Sequence, residues 1–160
     1  MPTLPQLIEE DLRQLDESLR DFIGQTGATV ALVIDKGGFL ITHQGEAAEV
    51  DLTTLGALAS GAFMASQTIA GLVNENNFNS TYQQGEKSSL LVIDIDEHCL
   101  LVILFESQAG VGVMKYYGLN CCQGIARQLL AASERSPGRG FDLSVLNLAD
   151  PQDLFRKRHG

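Results

Sequence analysis

Three runs of strand length are apolar at nearly every position, and they restrict the fold more than any other feature of the chain. They are ATVALVID at 28–35, SLLVIDI at 89–95 and CLLVILF at 99–105. Successive side chains of a strand point to opposite faces of a sheet, so a strand that is apolar on both faces needs cover on both. The runs therefore predict three central strands between two layers of helices.

Two more polar segments are predicted to be edge strands. FLITHQ at 39–44 follows the first run after Lys36-Gly37-Gly38, where the glycines favour a hairpin turn, and FNSTYQQ at 78–84 precedes the second run. Strands joined by short turns usually lie side by side. With the strands numbered in chain order, these constraints predict a mainly antiparallel five-stranded sheet in the order 2-1-5-4-3.

Three segments with apolar residues at helical spacing complete the α-β-β-α-β-β-β-α order. They cover 4–23, with Pro5 at the start, then 52–74 and about 113–134. The prediction is an α/β (α+β) three-layer sandwich, with the middle helix on one face and the other two on the opposite face. We expect one domain over 1–135 and a flexible C-terminal tail over 136–160, which begins at Ser136-Pro137-Gly138.

Composition excludes several classes of function. The 160 residues include 11 Lys plus Arg and 20 Asp plus Glu, a net charge of −9, which disfavours a nucleic-acid surface or a polybasic membrane anchor. No run approaches about 20 strongly apolar residues, so no membrane span is expected. The N-terminus lacks the basic region of a signal peptide, and we expect a cytoplasmic protein.

Catalytic and metal-binding signatures are missing from the sequence. It contains no Trp, three His, and no phosphate-binding loop, nucleophile elbow or zinc-protease motif. We therefore expect no active site, cofactor or metal. The odd cysteine count, with Cys121 next to Cys122, does not predict a disulfide framework. A redox role for this pair is one alternative, and buried structural thiols are the commoner one.

The middle helix is unusual because residues 52–74 carry no charge. One stripe is predicted to pack on the sheet, and it comprises Leu55, Leu58, Ala59, Ala62, Ile69 and Val73. A second stripe, about 120° away, comprises Ala57, Ser60, Gly61, Met64, Thr68 and Gly71, with Phe63 and Gln67 on its flank.

Glycines make the second stripe costly for a helix, since each costs about 0.5–1 kcal/mol relative to alanine. A sequence that keeps Gly56, Gly61 and Gly71 indicates that another surface approaches the backbone closely. The alternative is a helix enclosed by its own domain. A membrane helix is disfavoured by Gln67, Asn74 and five hydroxyl side chains.

The element order and several phrases resemble the roadblock/dynein-light-chain family. The phrases are ALVIDKGGFLITHQG, LVNENNF, YQQGEKSSLLV and CLLVILFE, and they are most similar to the bacterial gliding-motility branch. The resemblance covers 4–134. It implies a homodimer that joins two sheets through the third strand, pairs the middle helices, and activates GTP hydrolysis by a small Ras-like GTPase of the MglA type.

The resemblance also implies where contacts lie. The GTPase contacts would be Ala57, Ser60, Gly61, Met64, Ala65, Thr68 and Gly71. The dimer edge would be Phe78, Asn79, Ser80, Thr81, Tyr82, Gln83 and Gln84. A C-terminal segment would dock on the GTPase away from the helix pair and affect nucleotide exchange, with Leu146, Leu148, Leu154 and Phe155 as contacts. A tail that folds back on its own domain or is disordered is the alternative.

An arginine finger is the usual group that one protein supplies to another's GTPase site. Between residues 37 and 114 there is no Arg, and Lys87 is the only base, so activation would have to proceed by moving the GTPase's own switch loops. Two other functions remain open: a scaffold or adaptor of the same fold without effect on GTP turnover, and a sensor that binds a small molecule between sheet and helix.

Overall fold

A five-stranded antiparallel sheet forms the centre of the protein. The computed structural model describes residues 4–135 and 140–141. The strands of the sheet are β1 Val30–Asp35, β2 Leu40–Gly45, β3 Ser80–Gln83, β4 Ser88–Asp94 and β5 Cys99–Glu106. Their order is β2-β1-β5-β4-β3, which confirms the predicted order. A bulge between Val33 and Ile34 interrupts the β1–β2 pairing.

Three helices flank the sheet: α1 Glu9–Thr26, α2 Leu52–Leu72 and α3 Val111–Arg135. Helix α1 begins five residues later than predicted, because Leu4 and Pro5 form a two-residue strand that pairs with Gly140–Phe141. The Asp11 carboxylate accepts a hydrogen bond from the Ile8 N–H at 2.8 Å and fixes the start of the helix. Gly27 ends it in the left-handed conformation, with φ 70°.

Side chains of the central strands divide between two cores, as the three apolar runs predict. On one face, Ala31, Val33 and Ile103 belong to a core shared with α1 and α3. On the other, Leu32 and Val102 pack with residues of α2. The three-layer arrangement, with one helix on one face and two on the other, is confirmed.

The cysteines belong to the core. Cys99, Cys121 and Cys122 are free and buried. Burial raises the pKa of Cys121 to about 12 and raises the pKa of Cys122 and Cys99 further. A thiol that stays protonated is a poor nucleophile, so the geometry does not favour the redox alternative for Cys121 and Cys122.

The tail contacts expected at Leu146, Leu148, Leu154 and Phe155 lie outside the described residues, as does most of the segment 136–160.

A buried ion pair joins the start of α1 to the end of α3. The Asp11 side chain is fully buried and faces both terminal nitrogens of Arg135. Gln128 donates a further hydrogen bond at 2.8 Å. Burial alone would raise the pKa of Asp11, but the hydrogen bonds from Arg135, the Ile8 N–H and Gln128 outweigh it and lower the pKa. The ionised carboxylate therefore stabilises the fold.

Replacing Asp11 with Asn is expected to lower the free energy of unfolding at pH 7 by about 2 kcal/mol, because Asn cannot accept all the hydrogen bonds and leaves Arg135 unpaired. The folded pKa lies below the ordinary value of 3.8, so this contribution is complete above that value and is lost as the pH falls through the folded pKa. Urea unfolding at several pH values measures it. Asp21→Asn at an exposed site of α1 is the control, and an equal loss in both variants would contradict the assignment.

Candidate protein-binding surface on helix α2

Helix α2 begins at a well-formed cap. The Asp51 carboxylate accepts hydrogen bonds from the backbone N–H groups of Thr53 and Thr54 at 3.1 and 3.2 Å and from the Thr54 hydroxyl at 2.7 Å. These bonds, that of the Thr54 hydroxyl first, lower the pKa of Asp51. The charge at this end of the helix is therefore a persistent carboxylate at neutral pH.

The inner face of α2 approaches the sheet closely. Phe63 is 1% exposed and packs with Ala59 against the central strands. Gly56 allows this approach, because a Cβ at that position would lie 3.0 Å from the Ile34 Cγ2 atom. At Gly38, in the β1–β2 turn, φ is 96° and a Cβ would lie 3.1 Å from the Ala57 Cα atom. The helix is therefore pressed onto both the sheet and the hairpin.

Two polar side chains anchor α2 to the backbone. The Ser60 hydroxyl donates to the Lys36 carbonyl at 2.8 Å. Gln67 donates to the Phe78 carbonyl at 2.7 Å and accepts from the Phe78 N–H at 3.2 Å. These bonds explain why polar residues occur on the inner side of an apolar helix, and they fix the rotation of α2 about its axis.

The observed rotation corrects part of the helical-wheel prediction. Leu58, Ile69 and Val73 were expected to pack on the sheet and are exposed, whereas Phe63 was expected on the flank and is buried. Ser60, an expected partner contact, is 4% exposed and bonded internally, so it is not available to a partner. The aromatic ring and the small residues face the sheet, and they turn the helix by roughly a quarter of a turn from the prediction.

The remaining expected contacts lie on one exposed face. The α2 outer face, as we call it, comprises Ala57, Leu58, Gly61, Met64, Ala65, Thr68, Ile69, Gly71, Leu72 and Val73. Leu58 is 68% exposed and Leu72 is 80% exposed. A Cβ at Gly61 or Gly71 would meet no atom within 4 Å. Packing among the described residues therefore does not account for these two glycines.

Acidic residues border this apolar face at both ends. Glu46, Glu49 and Asp51 lie at the N-terminal end of α2, and Glu75 is exposed just beyond its C-terminal end. The surface is thus an apolar centre between negative charges, an arrangement that favours a partner with apolar and basic groups.

By length and composition alone, α2 could cross a membrane. Its contacts with the sheet and the anchors of Ser60 and Gln67 give the apolar inner face a structural role instead.

The expected dimer edge is an edge strand of the sheet. Strand β3 pairs with β4 on one side, and no other strand of the described chain pairs with it. The strand occupies Ser80–Gln83, and Asn79 extends its pairing by accepting a hydrogen bond from the Asp94 N–H. Phe78 is held by Gln67, and Gln84 is exposed beyond the strand.

The other sites considered give little support to catalysis or sensing. Within 4–135 no group of three His, Cys, Asp or Glu side chains could hold a metal ion. A cleft of about 220 Å³ lies between α1 and α3, on the opposite side of the sheet from α2. Its lining is polar and includes Ser18, Asp21 and Arg127. This is not the space between sheet and α2 that the sensor alternative needs.

Comparison with known proteins identifies the family. The model of the Roadblock/LC7 domain matches residues 14–105, more than half of the chain. The chain belongs to the Roadblock/LC7 domain family. An uncharacterised protein of Methanocaldococcus jannaschii is 28% identical over 101 residues, which cover 63% of this chain and 87% of the relative.

Solved structures of MglB proteins share the fold. The gliding protein MglB from Thermus thermophilus is 30% identical, with a TM-score of 0.73 over 82% of this chain and 99% of that one. An MglB described with a tetrameric arrangement is also 30% identical, with the same coverage and a TM-score of 0.77. The resemblance seen in the sequence is thus confirmed for the fold and for the MglB-like branch.

Gln67 was expected only to flank the partner surface, and its role as an anchor follows from the structure. Replacing it with Ala is expected to lower the free energy of unfolding by about 1–2 kcal/mol, because the N–H and carbonyl of Phe78 lose their partner. Thr68→Ala, one position further along on the outer face, is the control and should change stability by less than about 0.5 kcal/mol. Chemical denaturation measures both. A loss in Thr68→Ala as large as in Gln67→Ala would contradict this assignment of faces.

Proposed function

We propose that this protein is a homodimeric regulator of a small Ras-like GTPase of the MglA type, and that it accelerates GTP hydrolysis. The observation that carries the proposal is the α2 outer face, which is exposed, uncharged and glycine-containing in a chain with an MglB-like fold. A cytoplasmic location accords with this role.

The shape and chemistry of the outer face suit a protein partner. Met64 is 44% exposed near its middle, and methionine adapts its side chain to a partner surface. Gly61 and Gly71 leave the helix backbone open to close approach. Apolar area of this kind stabilises a complex when water is removed from it.

The regulator is proposed to act without an arginine finger. The α2 outer face has no charged side chain, and Lys87, in the turn between β3 and β4, is the only base from residue 37 to residue 114. Docking would therefore stabilise a conformation of the GTPase in which its own switch residues are correctly placed for hydrolysis.

Dimerisation is proposed to occur through β3. An unpaired edge offers N–H and carbonyl groups to a second strand, and two copies of β3 could extend one sheet into the other. The residues would be those of 78–84, with Ser80–Gln83 as the paired strand. The pairing would bring two α2 helices to one face, which makes a wider platform than one helix provides.

The edge can be tested with proline at alternate positions. Asn79 bonds to Asp94 across the β3–β4 ladder, so by alternation the N–H of Thr81 points toward β4 and that of Ser80 points outward. Ser80→Pro is expected to convert the dimer to a folded monomer, measured by sedimentation and circular dichroism. Thr81→Pro, the control, should instead destabilise the protomer. A Ser80→Pro variant that stays dimeric would contradict an interface through β3.

The docking face can be tested with matched arginine substitutions. Met64→Arg places a charge in the centre of the outer face and is expected to reduce GTPase binding and stimulated phosphate release by about tenfold or more. Leu119→Arg is the control, because Leu119 is 45% exposed, close to the value for Met64, but lies on α3. Both variants should stay folded, since both positions are exposed.

Phosphate release from an MglA-type GTPase, with and without the protein, measures the effect. Lys87→Ala should retain stimulation, because no base acts as a finger. Equal losses in Met64→Arg and Leu119→Arg would place the contact elsewhere. Binding that leaves phosphate release unchanged would favour the scaffold alternative.

A further inference from the structure

We infer that the C-terminal segment 142–160 of this chain binds the α2 outer face of its own domain when no other protein occupies it. The segment contains Leu154-Phe155 followed directly by Arg156-Lys157-Arg158. It thus combines apolar and basic side chains, the chemistry that an apolar face with acidic ends favours.

The charges match in number and in spacing. Three basic residues follow the apolar pair, and three acids, Glu46, Glu49 and Asp51, lie at the N-terminal end of α2. From Phe155 to Arg158 an extended chain covers about 10 Å. Along the helix axis, Asp51 and Leu58 are also about 10 Å apart. Phe155 can therefore lie against Leu58 while the basic residues face the acids.

The other exposed surfaces of the described chain lack one of these two features. Helix α3 has exposed apolar side chains at Tyr116, Leu119 and Leu130, but Lys115 and Arg127 lie among them and would repel the tail. Helix α1 is acidic, and its exposed face is composed of polar and charged side chains. Of the described helices, α2 alone joins an apolar face to acidic ends.

The segment is long enough to reach α2. Phe141 is held by its pairing with Leu4, and Leu154 follows 13 residues later. An extended chain of that length spans about 43 Å. A compact domain of this size has a radius of gyration of about 14 Å and thus a diameter of about 36 Å. The tail can therefore pass around the sheet to the α2 side.

Occupation of the outer face by the tail would make tail binding and GTPase binding alternatives. This consequence rests on the proposed function. The GTPase would have to displace Leu154 and Phe155, and the released segment would then be free for contacts elsewhere on the complex. Screening by salt would weaken the basic–acidic part of the contact.

A nitroxide at the C-terminus of the full chain tests the contact without any GTPase. Gly160→Cys supplies the attachment site, because the three native cysteines are buried thiols with raised pKa. The readout is the NMR signal of the methionine methyl groups. We expect strong broadening of Met64, which is exposed on α2, and none of Met114, which is buried on the opposite side of the sheet. About 0.5 M salt should reduce the broadening, because the screening length falls to a few Å.

Charge reversal separates the specific contact from random proximity. In the labelled chain, R156E/K157E/R158E should restore most of the Met64 signal, and adding E46K/E49K should bring the broadening back. An unbroadened Met64 with the natural tail, or broadening that survives the reversal unchanged, would overturn the inference. Because no GTPase is present, these results are independent of the proposed regulatory role.

Discussion

The packing of Phe63 between α2 and the central strands determines which part of the helix meets the solvent. The ring is buried with Ala59, and Gly56 lets the helix come within contact of Ile34. Ser60 and Gln67 then secure the same rotation by bonding to backbone groups of two different loops. A helix held in this way presents a fixed outer face, and the proposed interactions depend on that face.

Much of the fold could be predicted because the determining signals are strong and local. The three apolar runs identify the central strands, since their side chains need cover on both faces, and the short turns determine which strands are neighbours. The rotation of α2 was predicted wrongly. Leu58, Ile69 and Val73 are large and apolar, so a helical wheel places them inward, but they are exposed. In a helix that is apolar all round, hydrophobicity does not determine the rotation; ring packing and hydrogen bonds do.

The start of α1 shows the same limit on a smaller scale. The apolar spacing extends back to Leu4, but Leu4 and Pro5 pair with Gly140–Phe141, a partner at the far end of the described chain that local pattern cannot identify. The Asp11 network has a similar origin, because Arg135 meets Asp11 only after α1 and α3 have packed together. Polar contacts between distant segments are thus the part of the structure that local sequence patterns leave open.

The two faces of the sheet have different tasks in this account. The α1–α3 side contains the larger core and the buried ion pair, and the α2 side contains the proposed binding surface. Methionine offers one probe on each side: Met64 on the outer face and Met114 in the core. The most direct measurement is the methyl NMR spectrum of the full protein during titration with an MglA-type GTPase bound to a GTP analogue. We predict a large shift or loss of the Met64 signal while Met114 changes little. A complex that forms with the Met64 signal unchanged would contradict the claim that α2 is the docking face.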